Sequence, residues 1–188
     1  MIQQYHHVML DLATMGTTPG SAIVSIGAVA FDLLSGDIGP EFESRISLQS
    51  NIDVGLSMDP ETIEWWIGQS DDARQHTFRG QQTHLALALN NFKGWMLEHT
   101  HDPDLWGNGA RIDNTLLAAA YRATGIAAPW RWWNDRCFRT IRSLYSDIPA
   151  PEFLGTRHRA LDDARHQARH LIAMIGGPEN HFSPEASQ

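Results

Sequence analysis

The chain has 188 residues, of which 42% are hydrophobic and 19% charged, the proportions of one packed domain rather than a disordered or fibrous chain. A single cysteine, Cys137, rules out an internal disulfide and fits a reducing, cytoplasmic setting, and no apolar run is long enough for a leader or a membrane span. The net charge of −8 argues against coating duplex nucleic acid, but it is unevenly spread: residues 1–130 carry 6 basic and 15 acidic side chains, whereas 131–169 carry 8 arginines and 5 acids. Phosphate contacts are expected in that arginine-rich stretch, on a scale suited to a short segment or a chain end.

Residues 5–12 alternate as a strand, with Val8, Leu10 and Leu12 on one face and His7, Met9 and Asp11 on the other. A glycine and proline turn at 16–20 follows. Residues 22–32 are almost continuously apolar or small, as in a strand covered on both faces, and 41–48 alternate as a third strand. Asp59-Pro60 is a helix start for 61–67, and 83–98 place Leu85, Leu89, Phe92 and Met96 on one helical face. A short strand is expected at 104–109, a helix at 112–124 closed by Gly125, a strand at 130–135 and a helix from about 138 to 145. Pro149 and Pro151 mark a loop, and 160–175 form the last long helix. The expected organisation is one domain over 1–176 and a flexible polar tail over 177–188.

Three acidic positions stand out. Asp11 falls near the end of the first strand and before a glycine turn, where open α/β sheets gather ligands; taken alone, turn capping is the plainer reading. Asp113 follows Trp106-Gly107-Asn108-Gly109 and opens a helix, where an acid also serves the helix dipole. In His158-Arg159-Ala160-Leu161-Asp162-Asp163-Ala164, Asp162 has Arg165 and His166 within a turn, enough for an ordinary surface ion pair. Asp163 faces His166 and Gln167 and has no permanent cation, so it is the acid in want of a partner. Cys137 is expected in the core.

Taken in order, Asp11-Leu12-Ala13-Thr14-Met15-Gly16, then Gly107-Asn108-Gly109 with Asp113, then His158 with Asp163 resemble the three motifs of the DEDDh, DnaQ-like 3′–5′ exonucleases. Thr62-Ile63-Glu64-Trp65-Trp66 and the stretch from Trp133 to Thr140 resemble segments of an RNase T-like subgroup from bacteria and phages. The resemblance spans roughly residues 7–175. It implies an α/β, ribonuclease H-like fold with a mixed central sheet flanked by helices. It implies a metal-dependent nuclease acting on the 3′ end of RNA or DNA with a single-stranded terminus; no membrane partner is expected, since no apolar run could span a bilayer. Asp11, Asp113 and Asp163 would be metal ligands for two Mg2+ or Mn2+ ions, and His158 the base that takes a proton from the attacking water. Hard cations of this kind want carboxylate oxygens, and a pair of them suits in-line phosphodiester hydrolysis. Thr14, Met15, Gly16 and Asn108 would meet the terminal nucleotide, Met15 as an apolar wedge. Trp65 and Trp66 divide between base stacking and core packing, and Arg136, Arg139 and Arg157 between phosphate contact and ion pairing. The oligomeric state stays open, a homodimer included.

Position 13 departs from the pattern. The family carries a glutamate there, a metal ligand that also contacts the substrate's 3′ end, where this chain has Ala13. Intact flanks and the surviving histidine and aspartates imply a change made to block cleavage rather than gradual decay. Two rival functions follow: a non-catalytic binder of nucleic-acid 3′ ends, suggested by Ala13, and a small-nucleotide phosphodiesterase, suggested by the acidic net charge.

Overall fold

A computed structural model describes residues 4–177. Five strands form one sheet: β1 (Tyr5–Thr14), β2 (Ile23–Phe31), β3 (Ile38–Arg45), β4 (Thr100–Gly107) and β5 (Asp135–Cys137), in the order β3-β2-β1-β4-β5. The first three are an antiparallel meander, while β4 runs parallel to β1 and β5 parallel to β4. The sheet is therefore mixed, and β1 is its centre. All nine residues of β2 are buried, as its apolar run requires.

Successive side chains of a strand point to opposite faces, so β1 feeds two cores. Val8 and Leu10 pack with Ile26 against α4 (Leu85–His99) and α5 (Asp113–Thr124), through Leu89, Phe92, Leu117 and Tyr121. Met9 packs with Val29, Phe31 and Trp106 against α6 (Phe138–Leu144) and α7 (Ala160–Ile175), through Phe138, Ala164, Ala168 and Leu171. The start of α7 lies so close to β2 that a side chain at Gly27 would run into the backbone of Ala160 and Leu161. That close approach fixes where the acids of α7's first turn stand relative to β1.

Several expected boundaries shift. β1 runs two residues further, to Thr14, with its register against β2 breaking between Ala13 and Thr14. The strand expected at 130–135 is instead a single 3-10 turn over Trp132–Asn134, then β5. The Asn134 amide pins that turn by donating to the Asp102 and Pro103 carbonyls. The third strand ends at Arg45, and α1 (Leu48–Ile52) follows, its buried Asn51 bonding both the N–H and the carbonyl of Ile23. Two more helices are α2 (Pro60–Ile67), with Asp59 capping the Glu61 N–H, and α3 (Asp71–Phe78), which buries only Ala73 and Thr77 and so shows no apolar stripe. The expected tail lies, apart from Gly177, outside the described residues. Among the described residues no helix is long and apolar enough to cross a membrane.

Candidate active site

β1 and β4 run side by side with Leu10 opposite Gly107, the last residue of β4, and β1 continues past that point to Thr14. There a cavity of about 520 Å³ opens, with Asp11, Ala13, Thr14, Asn108, His158 and Asp163 among the residues lining it. Asp113, the first residue of α5, is buried just behind, where its Oδ1 accepts the Leu12 N–H at 3.3 Å. Four separate segments thus bring their acids and histidine to one strand end.

The electrostatics of this end are unfavourable. Burial pushes the Asp11 carboxyl well above the usual carboxylate range, and the neighbouring Asp113 and Asp163 carboxylates push it further; a bond from Gln167 offsets part of this. Asp113 is pushed up to about 7, again mainly by burial, against the backbone N–H groups of Leu12 and Asn108 and the Arg139 charge. Asp163 is raised by burial too, with the His158 N–H and the His158 and Arg157 charges opposing. Like charges gathered in a poorly hydrated place favour a bound cation or protons.

His158 is exposed, has a backbone φ of 66°, and sits edge-on to the exposed Trp65 ring with centroids 5.1 Å apart. Gln167, one turn beyond Asp163 on α7, donates from Nε2 to Asp11 Oδ1 at 2.8 Å. Sequence reading gave it no role, although its i+4 spacing from Asp163 places both on one helix face. Two amide oxygens at this cavity, Asn108 Oδ1 and Gln167 Oε1, are buried without a hydrogen-bond partner.

Other expected substrate contacts land elsewhere. Met15, just past the end of β1, is 5% exposed, packs in the core cluster with Val8, Leu10 and Trp66, and does not line the cavity. Gly16 does not line the cavity but makes a tight turn in which a side chain would strike Ser21. Trp66 reaches the cavity wall but is 5% exposed: its indole N–H donates to the Thr14 carbonyl, and Trp65 and Phe78 meet it edge-on. A stacking platform needs an open ring, and the open one is Trp65, at 46% exposure. Arg136 is committed to Asp104 at 2.8 Å and to the Trp133 and Asp135 carbonyls, away from the cavity. Arg139 bonds the Asn108 carbonyl, and Arg157 lies over the Phe153 ring.

Two further expectations are corrected. Asp162 is no surface ion pair: its side chain is 3% exposed, bonded to Arg165 and to the Thr156 N–H and paired with Arg159. Cys137 is half-buried rather than core, and hydrogen bonds from Thr140, Ala110 and Arg139 outweigh the effect of burial and lower its thiol pKa.

Comparison with known proteins agrees with this architecture. Residues 6–175 match the family described as the 3′-5′ exoribonuclease Rv2179c-like domain. An exodeoxyribonuclease of Enterobacteria phage T4 is 24% identical over 156 residues, 70% of this chain and 68% of the phage protein. Among solved structures, the nuclease domain of 3′hExo, a DEDDh family member bound to rAMP, superposes with a TM-score of 0.61 at 14% identity, covering 92% of this chain and 94% of that one. The E. coli ExoI–ssDNA complex superposes at 0.64 with 15% identity, over 92% of this chain but 40% of the larger protein. The fold is ribonuclease H-like, of the DEDDh exonuclease type.

Proposed function

The chain belongs to the 3′-5′ exoribonuclease Rv2179c-like family, and from that premise we propose a metal-dependent hydrolase of phosphodiesters at nucleic-acid 3′ ends whose cleavage is disabled at position 13. The observation that carries this reading is the crowding of Asp11, Asp113 and Asp163 at one strand end, where each carboxyl is raised in pKa and no lysine or arginine lies among the residues lining the cavity. Such a set of desolvated carboxylates fits a hard divalent ion, Mg2+ or Mn2+, in donor type and in charge. Among the described residues no three carboxylate, imidazole or thiol side chains form a ready-made ion site, and the motif's fourth donor position is a methyl group, Ala13. Two ions, when bound, supply Lewis-acid stabilisation to an in-line displacement.

The chain's own residues have separable tasks. Asp11, Asp113 and Asp163 hold the ions. His158, exposed at the mouth of the cavity, takes the proton of the attacking water, a task suited to an imidazole near neutral pH. Thr14 and Asn108 line the place of the terminal nucleotide, and the Trp65 ring offers its base a face. Ala13 neither ligates an ion nor accepts a bond from a terminal 3′-OH, so the protein captures a 3′ end without efficiently cutting it. Loss of a carboxylate among acids also relieves repulsion, so the fold tolerates the alanine. Intact neighbours on every side support an introduced glutamate-to-alanine change at this position.

The test is Ala13→Glu, assayed in Mg2+ and Mn2+ on RNA and DNA oligonucleotides labelled at either end and on a dinucleotide. Stepwise shortening from the 3′ end is the expected result. A restored protein that binds metal yet releases no nucleotide from any of them is a 3′-end binder. One that cuts only the dinucleotide is a small-nucleotide phosphodiesterase.

A further inference from the structure

We propose that Gln167 is a further member of the cation site, orienting Asp11 through its amide N–H and offering its amide oxygen as a neutral donor. The inference rests on the nuclease reading above and names one more residue of the same site. Gln167 is 5% exposed, and one half of its amide is accounted for by the bond from Nε2 to Asp11 Oδ1 at 2.8 Å. The other half is not: Oε1 is buried without a partner, while the side chain lines the same cavity as Ala13, Asp11 and Asp163. A buried acceptor left unpaired costs stability, and a leucine would fill this space without that cost. The polar side chain is therefore explained by something that enters the cavity. An amide oxygen is a hard, uncharged donor of the kind Mg2+ and Mn2+ accept, and it adds no fourth negative charge to three acids already crowded. Its hydrogen bond to a ligating carboxylate is also the usual means by which a metal site fixes its ligands.

The experiment is an Mn2+ titration of the full chain at pH 8, followed by the electron paramagnetic resonance signal of free Mn2+. The proteins are the parent, Gln167→Leu, Gln167→Glu and Asp11→Asn, each first shown by thermal melting in EDTA to be folded. Gln167→Leu should weaken Mn2+ binding ~10–100-fold, the range for partners that orient metal ligands. Gln167→Glu keeps an oxygen in place and should bind within threefold of the parent or more tightly. A residue that merely packs would make glutamate as harmful as leucine, and that result overturns the proposal, as does leucine binding within threefold of the parent. If Gln167→Leu does not fold, Gln167→Met takes its place with the same thresholds. A parent that binds no Mn2+ removes the cation site and this inference together. A parent that binds, with Asp11→Asn losing the ion and Gln167→Leu keeping it, removes the inference alone.

Discussion

Asp162 and Asp163 follow each other in the first turn of α7, yet they enter two differently built regions. Asp162 turns toward β3, where Arg159 bonds Glu43 at 2.7 and 2.8 Å, Arg165 bonds Glu41, and both arginines also reach Asp162. Every acid there has its guanidinium, and Arg159 holds the Glu43 carboxyl below its usual range. Asp163 lines the cavity with Asp11, whose carboxyl feels both Asp163 and Asp113, and each of the three carboxyls is raised instead. One residue of helix rotation thus separates a region whose acids are paired with arginines, and so hold the helix to the sheet, from one whose carboxyls are crowded together and raised. The lesson is that acidity marks neither region; the local balance does.

The largest expected effect lies in the unbalanced region. In the Ala13→Glu background, His158→Ala should slow turnover by ~10²–10⁴-fold while binding of a non-cleavable 3′ end changes little. If affinity falls as steeply as turnover, His158 is a binding residue and the division of tasks is wrong. Next comes the balanced region. Asp162→Ala removes a buried partner from two arginines and the Thr156 N–H, and should cost about 3–5 kcal/mol, roughly 10 °C in melting temperature. Asp163→Asn, one residue on, should leave stability in EDTA unchanged or higher while abolishing Mn2+ binding. Equal melting losses in the two variants would erase the contrast.

A smaller effect is pH dependence. Asp113 has a folded-state pKa of about 7, above its unfolded value, so the stability it contributes is fully present below about pH 4 and is lost as pH rises toward and through 7. His7 acts with the opposite sign: burial lowers it to about 4, so its contribution is lost as pH falls from 6.5 through 4. The two trends oppose below pH 6.5, so the check in EDTA between pH 5 and 8 is the difference between proteins. Asp113→Asn should remove the falling component and gain on the parent as pH rises, and identical slopes for both would contradict the raised carboxyl. Smallest is Trp65→Ala, which should weaken capture of an unpaired 3′ end about tenfold without altering the melting temperature, within the range for one stacked base. A loss of stability instead would make Trp65 a packing residue like Trp66.

The sequence was most legible where local periodicity and burial coincide. The stripe of Leu85, Leu89, Phe92 and Met96 is buried as its spacing demands, and α7 spans the expected residues. The convergence of Asp11, Asp113, Asp163 and His158 was anticipated through motif order, not through any single residue. What stayed hidden depends on distant partners. Asp162 pairs locally with Arg165, but its burial comes from the clamp that Glu41 and Glu43 complete from more than a hundred residues away. Which of Trp65 and Trp66 faces solvent is decided by the Thr14 carbonyl and Phe78. Gln167 gained meaning only once β1 was set beside α7. α3 left no trace because a helix that buries two small side chains has no stripe to read.

The edge of the sheet carries one more consequence. β3 is an outer strand, and it contains Pro40, which has no N–H to offer, beside Glu41 and Glu43. Exposed sheet edges invite strands from other chains to add on, and proline and charge are the usual deterrents. The glutamates that fasten α7 to the sheet therefore also make this border a poor template for further pairing. Replacing Pro40, Glu41 and Glu43 together by β-branched residues would open a row of hydrogen-bonding groups, and the expected symptom is aggregation during refolding before any loss of the cavity's chemistry.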